Sequence, residues 1–205
     1  MGQIRLEKNV GGIEGLCVIT PKLHCDNRGY FVETYSHRDM KEEGFHSIFV
    51  QDNMSLSFKG VLRGLHFQIK KPQAKLIQVI RGSVFDVAVD LRENSNTYGK
   101  YYGLILDETN MKQLFIPKGF AHGFLVLSDV ASIYYKCDSF YDSNDQFGIA
   151  WNDPTLSIDW PNIDGNYSGS ASAAGYTIEG IPLNMSERDQ NWKTIDIEVN
   201  FNKIL

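Results

Sequence analysis

The sequence predicts an all-β domain, a sandwich or small barrel with a few short helices. Three observations predict it. Short runs rich in β-branched and aromatic residues recur along the chain, at least eight of them. Gly, Pro, Asn or Asp separates most of these runs, and only one early stretch reads as a helix.

In chain order, GYFVETY at 29–35 is a first strand. A two-turn helix follows, with Ser36 as its cap, Asp39 three residues later in capping-box position, and Gly44 as its stop. SIFVQDNMSLS at 47–57 and VLRGLHFQ at 61–68 are strands. LIQVI at 76–80 and SVFDVAVDL at 83–91, joined by Arg81-Gly82, read as a hairpin. YYGLIL at 101–106, KQLFI at 112–116, AHGFLVL at 121–127 and ASIYYKC at 131–137 complete the β set. Beyond Trp151 the chain turns, and the small, glycine-rich run at 165–180 predicts a flexible loop. A last helix is expected near Ser186, where SERDQNW has acidic residues in its first turn.

No linker or repeat interrupts the 205 residues, so one domain over 1–205 is expected. A net charge of -5, with 20 Lys+Arg against 25 Asp+Glu, offers no basic footprint for nucleic acid. A few converging arginines and lysines still suit a small anionic ligand. Cys17, Cys25 and Cys137 form no metal or redox spacing and read as reduced thiols of a cytoplasmic protein. MGQIRLEKNVGG holds no apolar leader and no run reaches membrane-spanning length, so no membrane partner is expected.

VLRGLHFQ raises the functional question. A strand with a packed face has little use for Arg63 and His66, and simple alternation sends the two to opposite sides. They share a pocket only if an irregularity, most simply a bulge at Gly64, resets the register. With Gly and Gln at positions 64 and 68 there is no His-x-His here, so no metal site is expected. Asp86 stands outside the apolar stripe Phe85, Val87, Val89, Leu91 and needs a partner if enclosed, which a structural ion pair would satisfy equally well. His122 lies between Gly119 and Gly123 at a loop–strand junction. Tyr134 and Tyr135 face opposite ways; a phenol facing a pocket could donate a proton, but in a chain with ten tyrosines a given one more often serves packing.

Together, DNRGYFVE, FVQDN, VLRGLHFQ, FDVAVDLR, IPKGFAHGF, YYKC and MSERDQNW, in that order, resemble the dTDP-4-dehydrorhamnose 3,5-epimerase family over residues 12–161 and again at MSERDQNW. The resemblance implies a cupin-like jelly roll, a homodimer with exchanged strands completing each pocket, a dTDP-linked 4-keto-6-deoxy sugar as substrate, and no cofactor. It implies His66 as base, Tyr135 as acid, Asp189 as the carboxylate partner of the base, and Lys75 beside the sugar C4 oxygen. Arg28 and Arg63 match positions near the diphosphate. Gln51, Asn53, Glu33 and His122 match other pocket positions, and Asp86 belongs to a supporting network. His24 stands where relatives often carry an aromatic residue near the nucleobase. Asp153 and Asp159 are nearby alternatives to Asp189. Enzymes inverting only C3 or C5, or using another nucleotide-linked 4-keto sugar, would need the same residues, and a non-catalytic nucleotide-sugar-binding cupin is the more distant alternative.

Overall fold

The structure is a computed structural model that describes residues 3–165 and 171–195. Its first strands are β1 (Ile4–Lys8), β2 (Cys17–Pro21), β3 (Leu23–Asp26) and β4 (Gly29–Val32). After helix α1 (His37–Glu42) come β5 (Gln51–Phe58), β6 (Leu62–Gln68), β7 (Lys75–Arg81), β8 (Ser83–Asp90), β9 (Tyr101–Asp107), β10 (Gln113–Ile116), β11 (Phe120–Val126) and β12 (Val130–Cys137). Short strands β13 (Gln146–Gly148), β14 (Ile163–Asp164), β15 (Thr177–Ile178) and β16 (Ile181–Pro182) follow.

Two antiparallel sheets form the sandwich. The larger has the order β1-β2-β10-β7-β12-β5 and the smaller β13-β6-β11-β8-β9. Apolar side chains from both sheets, among them Ile77, Val79, Val84, Ala88, Phe124 and Ile133, fill the space between them. Each outer face is also covered in part. Helix α1 lays Met40 against Cys17, Ile19, Leu76 and Phe115 on the larger sheet. The chain after β13 lays Trp151, Trp160, Tyr176 and Ile178 on Leu62, Val87, Val89 and Leu125 of the smaller one. Strand β8 is therefore buried on both faces, which is why SVFDVAVDL carries apolar residues on both its alternating faces, Val84 and Ala88 on one and Phe85, Val87, Val89 and Leu91 on the other.

The helix at Ser36 forms as expected, with Ser36 Oγ accepting from the Asp39 N–H at 3.3 Å. The hairpin at Arg81-Gly82 does not form. β7 pairs with β10 and β12, whereas β8 pairs with β11 and β9. Gly82, at φ 74°, turns the chain from one sheet into the other. It passes so near the β12 entry that a Cβ would lie 2.1 Å from Val130 O. The helix expected from Ser186 reduces to one 3-10 turn, Asp189–Asn191. Ser186 Oγ caps Asp189 N, but the chain is then drawn out along the sandwich by a hydrogen bond from Ala150 N to Lys193 O.

The glycine-rich run at 165–180, expected as a loop, is packed over most of its described length. Ala171, Ala173, Tyr176 and Ile178 are buried, and β15 pairs with β14 and β16. Residues 166–170 of that run lie outside the described residues. The small side chains that suggested an open loop fit closely against Trp151, whose indole donates to Ala171 O at 2.8 Å.

Candidate active site

Alternation on the larger sheet sets one wall of a cavity of about 240 Å³. Tyr135 lies opposite Asn53 on β5, and Cys137 lies opposite both Gln51 on β5 and Lys75 on β7. These positions share one face, and Gln51, Asn53, Lys75 and Tyr135 all line the cavity. The smaller sheet supplies His66 and Phe120 from the opposite side. Tyr141, Gln146, Gln68 and Phe67 also line it and were missed in the sequence. Tyr141 and Gln146 sit in and after the irregular connection that follows β12, where no periodicity marks an inward side chain.

Strand β6 contains the irregularity that VLRGLHFQ requires. Phe124 on β11 pairs with Arg63, but His122, two residues earlier, pairs with His66, three residues later. The extra residue on β6 is a bulge that places Arg63 and His66 opposite two β11 positions of like parity. Gly64 occupies it at φ 131°. His66 then enters the cavity. Arg63 does not line it but stays close. Its Nε and Nη2 both donate to Ser57 Oγ at 3.2 Å, on the face of β5 that carries Asn53.

Two histidine–carboxylate pairs lie side by side. His66 Nε2 is 2.5 Å from Asp189 Oδ1, with Asp189 carried by the C-terminal 3-10 turn. Burial works against the Asp189 charge, but hydrogen bonds from His66, Ser186 and Trp192 outweigh it and hold the carboxyl below the usual range. His122 Nε2 lies 3.1 and 3.0 Å from the two oxygens of Asp86, which is fully buried. Burial lowers the His122 pKa despite the Asp86 charge. The structure thus gives Asp86 its partner and makes His122 a buried neighbour of the cavity, not a lining residue.

The Lys75 side chain makes no hydrogen bond or ion pair among the described residues, and burial lowers its pKa. Burial raises the Tyr135 phenol, keeping it protonated at neutral pH, with the Arg63 charge opposing in part. Cys137, beneath Lys75, is pushed up to about 11 by burial. The cavity therefore holds a carboxylate-bound imidazole, a protonated phenol and a lysine amine with no hydrogen-bonding partner among the described residues. Among the described residues, no three His, Cys, Asp or Glu side chains are grouped to hold a metal ion.

Neither alternative to Asp189 lines the cavity. Asp153 is buried and accepts from the backbone of Thr155, Leu156 and Ile195. Asp159 is exposed on the surface.

His24, Arg28 and Glu33 do not line the cavity of the single chain. The first two belong to the β3–β4 hairpin, which joins neither main sheet. Arg28 pairs with Asp26 at 2.6 Å, His24 Nε2 lies 3.1 Å from Gln3 Oε1, and Glu33 is exposed. The hairpin also exposes Tyr30 and Phe31.

Residues 11–196 match the family model described as dTDP-4-dehydrorhamnose 3,5-epimerase. The chain belongs to this family. A curated dTDP-4-dehydrorhamnose 3,5-epimerase from Methanothermobacter thermautotrophicus is 46% identical, over 95% of this chain and 96% of its own. Among solved structures, the Legionella pneumophila dTDP-6-deoxy-D-glucose-3,5-epimerase in complex with dTDP-4-keto-L-rhamnose superposes with a TM-score of 0.83 at 40% identity, covering 96% and 95% of the two chains. ChmJ, a 3'-monoepimerase from Streptomyces bikiniensis in complex with dTDP-quinovose, superposes with a TM-score of 0.75 at 29% identity, covering 88% and 84%. The sandwich is the epimerase family's cupin-like jelly roll.

Proposed function

We propose that this family member is a dTDP-4-dehydrorhamnose 3,5-epimerase that inverts C3 and C5 of dTDP-4-dehydro-6-deoxy-D-glucose to give dTDP-4-dehydro-L-rhamnose, without a metal or organic cofactor. The observation that carries the reading is the set of groups meeting in one cavity: His66 held on Asp189, Tyr135 from the opposite sheet, and the Lys75 amine, which has no hydrogen-bonding partner among the described residues. A C4 ketone acidifies the hydrogens on C3 and C5, so each inversion needs a base, an acid on the other face, and charge stabilisation at the C4 oxygen.

In this reading His66 takes the proton. Its Nε2–H donates to Asp189, which fixes the tautomer with an unprotonated Nδ1 and stabilises the imidazolium that forms. Lys75 stabilises the enolate oxygen, where a preorganised ammonium in a dry site acts strongly. The protonated Tyr135 returns a proton from the opposite face. Gln51 and Asn53 bind sugar hydroxyls, and Arg63 holds a phosphate oxygen. Asp86 and His122 support the wall behind His66.

The homodimer with strand exchange belongs to the same proposal. Strand β5 is the edge of the larger sheet and exposes Met54, Leu56 and Phe58 in one row, an aggregation hazard unless covered. The projecting β3–β4 hairpin, with Tyr30 and Phe31, suits that edge on a second copy. It would carry His24, Arg28 and Glu33 toward the second copy's pocket. A cytoplasmic location is part of the reading, supported by three free cysteines. Among the described residues no helix is long and apolar enough to cross a membrane.

The similarity to a 3'-monoepimerase favours one second reading, inversion at a single carbon. Incubation with the dTDP-4-keto sugar in deuterated water, followed by NMR, separates the two. Exchange with inversion at both C3 and C5 is expected, and inversion at one carbon would sink the double-epimerase reading. His66→Ala should abolish turnover in a folded protein, and full activity in that variant would remove His66 from the mechanism.

A further inference from the structure

Asp189 sits outside both main sheets, on a segment that crosses the sandwich surface, yet its carboxylate must stay aligned with an imidazole on β6. A single 3-10 turn is a weak platform for that alignment. The indole of Trp192, three residues on, supplies what the turn lacks. Its Nε1–H donates to Asp189 Oδ1 at 3.2 Å, the same oxygen that lies 2.5 Å from His66 Nε2. The indole also meets the His66 ring edge-on, with centroids 6.3 Å apart and planes at 73°.

The seat of the indole is equally specific. Gly148 on β13 pairs with His66 across the ladder. A Cβ on Gly148 would fall 2.3 Å from Trp192 Cε2, so the indole lies directly on the backbone of the strand beside the imidazole. Trp192 thus bridges the segment carrying the carboxylate to the sheet carrying the base. Rotation of the carboxylate away from His66 would break the indole bond as well.

We propose that Trp192 is a positioning residue, whose indole N–H locks the Asp189 carboxylate onto His66 and whose ring is seated by the absence of a side chain at Gly148. The inference rests on the reading of His66 as the base. The N–H is the active feature, so Trp192→Phe, which keeps an aromatic ring, should lose nearly as much as Trp192→Ala.

The test uses the full-length chain. Trp192→Phe is expected to lower kcat by roughly tenfold, the weight of one hydrogen bond to a charged group, with KM for the dTDP-4-keto sugar within about twofold. Gly148→Ala should reproduce that kcat loss by unseating the ring. A purely structural tryptophan would instead lower stability and leave the kcat of the folded fraction alone. An independent readout is the Trp192 indole 1H–15N resonance, assigned by its absence in Trp192→Phe, which should shift in Asp189→Asn. Wild-type kcat in Trp192→Phe, or an indole resonance indifferent to Asp189→Asn, would overturn the proposal. A wild-type chain inactive on the sugar sinks the underlying reading and with it the role of Trp192, but not the contact, which the resonance reports separately.

Discussion

Gly64 and Gly123 approach so closely across β6 and β11 that a Cβ on Gly64 would lie 2.5 Å from the Gly123 Cα. The contact is backbone against backbone, so no side chain can rotate to relieve it. Gly64 also holds a φ of 131°, where L side chains are strained. Gly64→Ala should therefore destabilise the protein by about 2–4 kcal/mol, from overpacking and backbone strain together. The bulge that brings Arg63 and His66 to one side depends on this contact, so kcat should fall in whatever fraction remains folded. Urea unfolding with parallel assays checks both. Wild-type stability would show that the bulge does not require glycine.

Lys75 separates catalysis from stability. Its ammonium has no partner among the described residues, and burial lowers its pKa below the ordinary 10.5. A lysine depressed in the folded state costs stability while it is charged, and stability rises with pH through the window between the folded value and 10.5. Lys75→Met should leave the protein as stable as wild type or more so at neutral pH, and should flatten the alkaline rise. The same change should lower kcat by roughly a hundredfold, as removal of an oxyanion donor does. A less stable but fully active Lys75→Met would contradict both halves of the argument.

Asp189→Asn should leave the fold intact and lower kcat by roughly 10³–10⁴, because the amide neither holds the required tautomer nor stabilises the imidazolium. The pH dependence of stability supplies a second check. The Asp189 carboxyl is held below its ordinary 3.8 in the fold. Its contribution is therefore present above 3.8 and is lost as pH falls through the folded value. The Asn variant should lose part of that acid-side slope. Unfolding free energies between neutral and acid pH would show it, and slopes identical to wild type would mean that Asp189 is not charged in the native state.

Much of this was legible because alternation is a local signal. All eight expected strand regions and VLRGLHFQ form strands, and the Ser36 cap works as its spacing suggests. The partner of a strand is not a local property. Arg81-Gly82 has the composition of a tight hairpin, yet β7 and β8 belong to different sheets because each finds better partners far along the chain. β3, LHCD, is exposed along its whole length and, among the described strands, pairs only with β4, so it carries no apolar signature. In the site, the conflict between Arg63 and His66 was visible as a parity problem, and Gly64 was the residue able to resolve it. The His66–Asp189 pair spans 123 residues and has no periodicity to reveal it, so only the family resemblance pointed to Asp189. The Trp192 contact follows from the seat on Gly148 and is visible only in three dimensions.

The Asp90 turn predicts where acid weakens the domain. Asp90 ends β8 fully buried, accepting from Arg92 Nε at 2.8 Å and Nη2 at 2.7 Å, Ser95 Oγ at 2.5 Å and Thr97 Oγ1 at 2.6 Å. Burial alone would raise its pKa, but these donors win and lower it from 3.8 to about 2. The difference corresponds to about 2 kcal/mol of stability. Because the folded value is the lower one, that stability is fully present above 3.8 and disappears as pH falls toward about 2. Asp90→Asn should thus be less stable than wild type by about 2 kcal/mol or more at neutral pH, since the Arg92 charge also loses its partner. The gap should narrow as both proteins are acidified. Unfolding free energies measured across that range check the sign. A constant gap at all pH values would show that Asp90 acts through packing and hydrogen bonds alone, with no contribution from its charge.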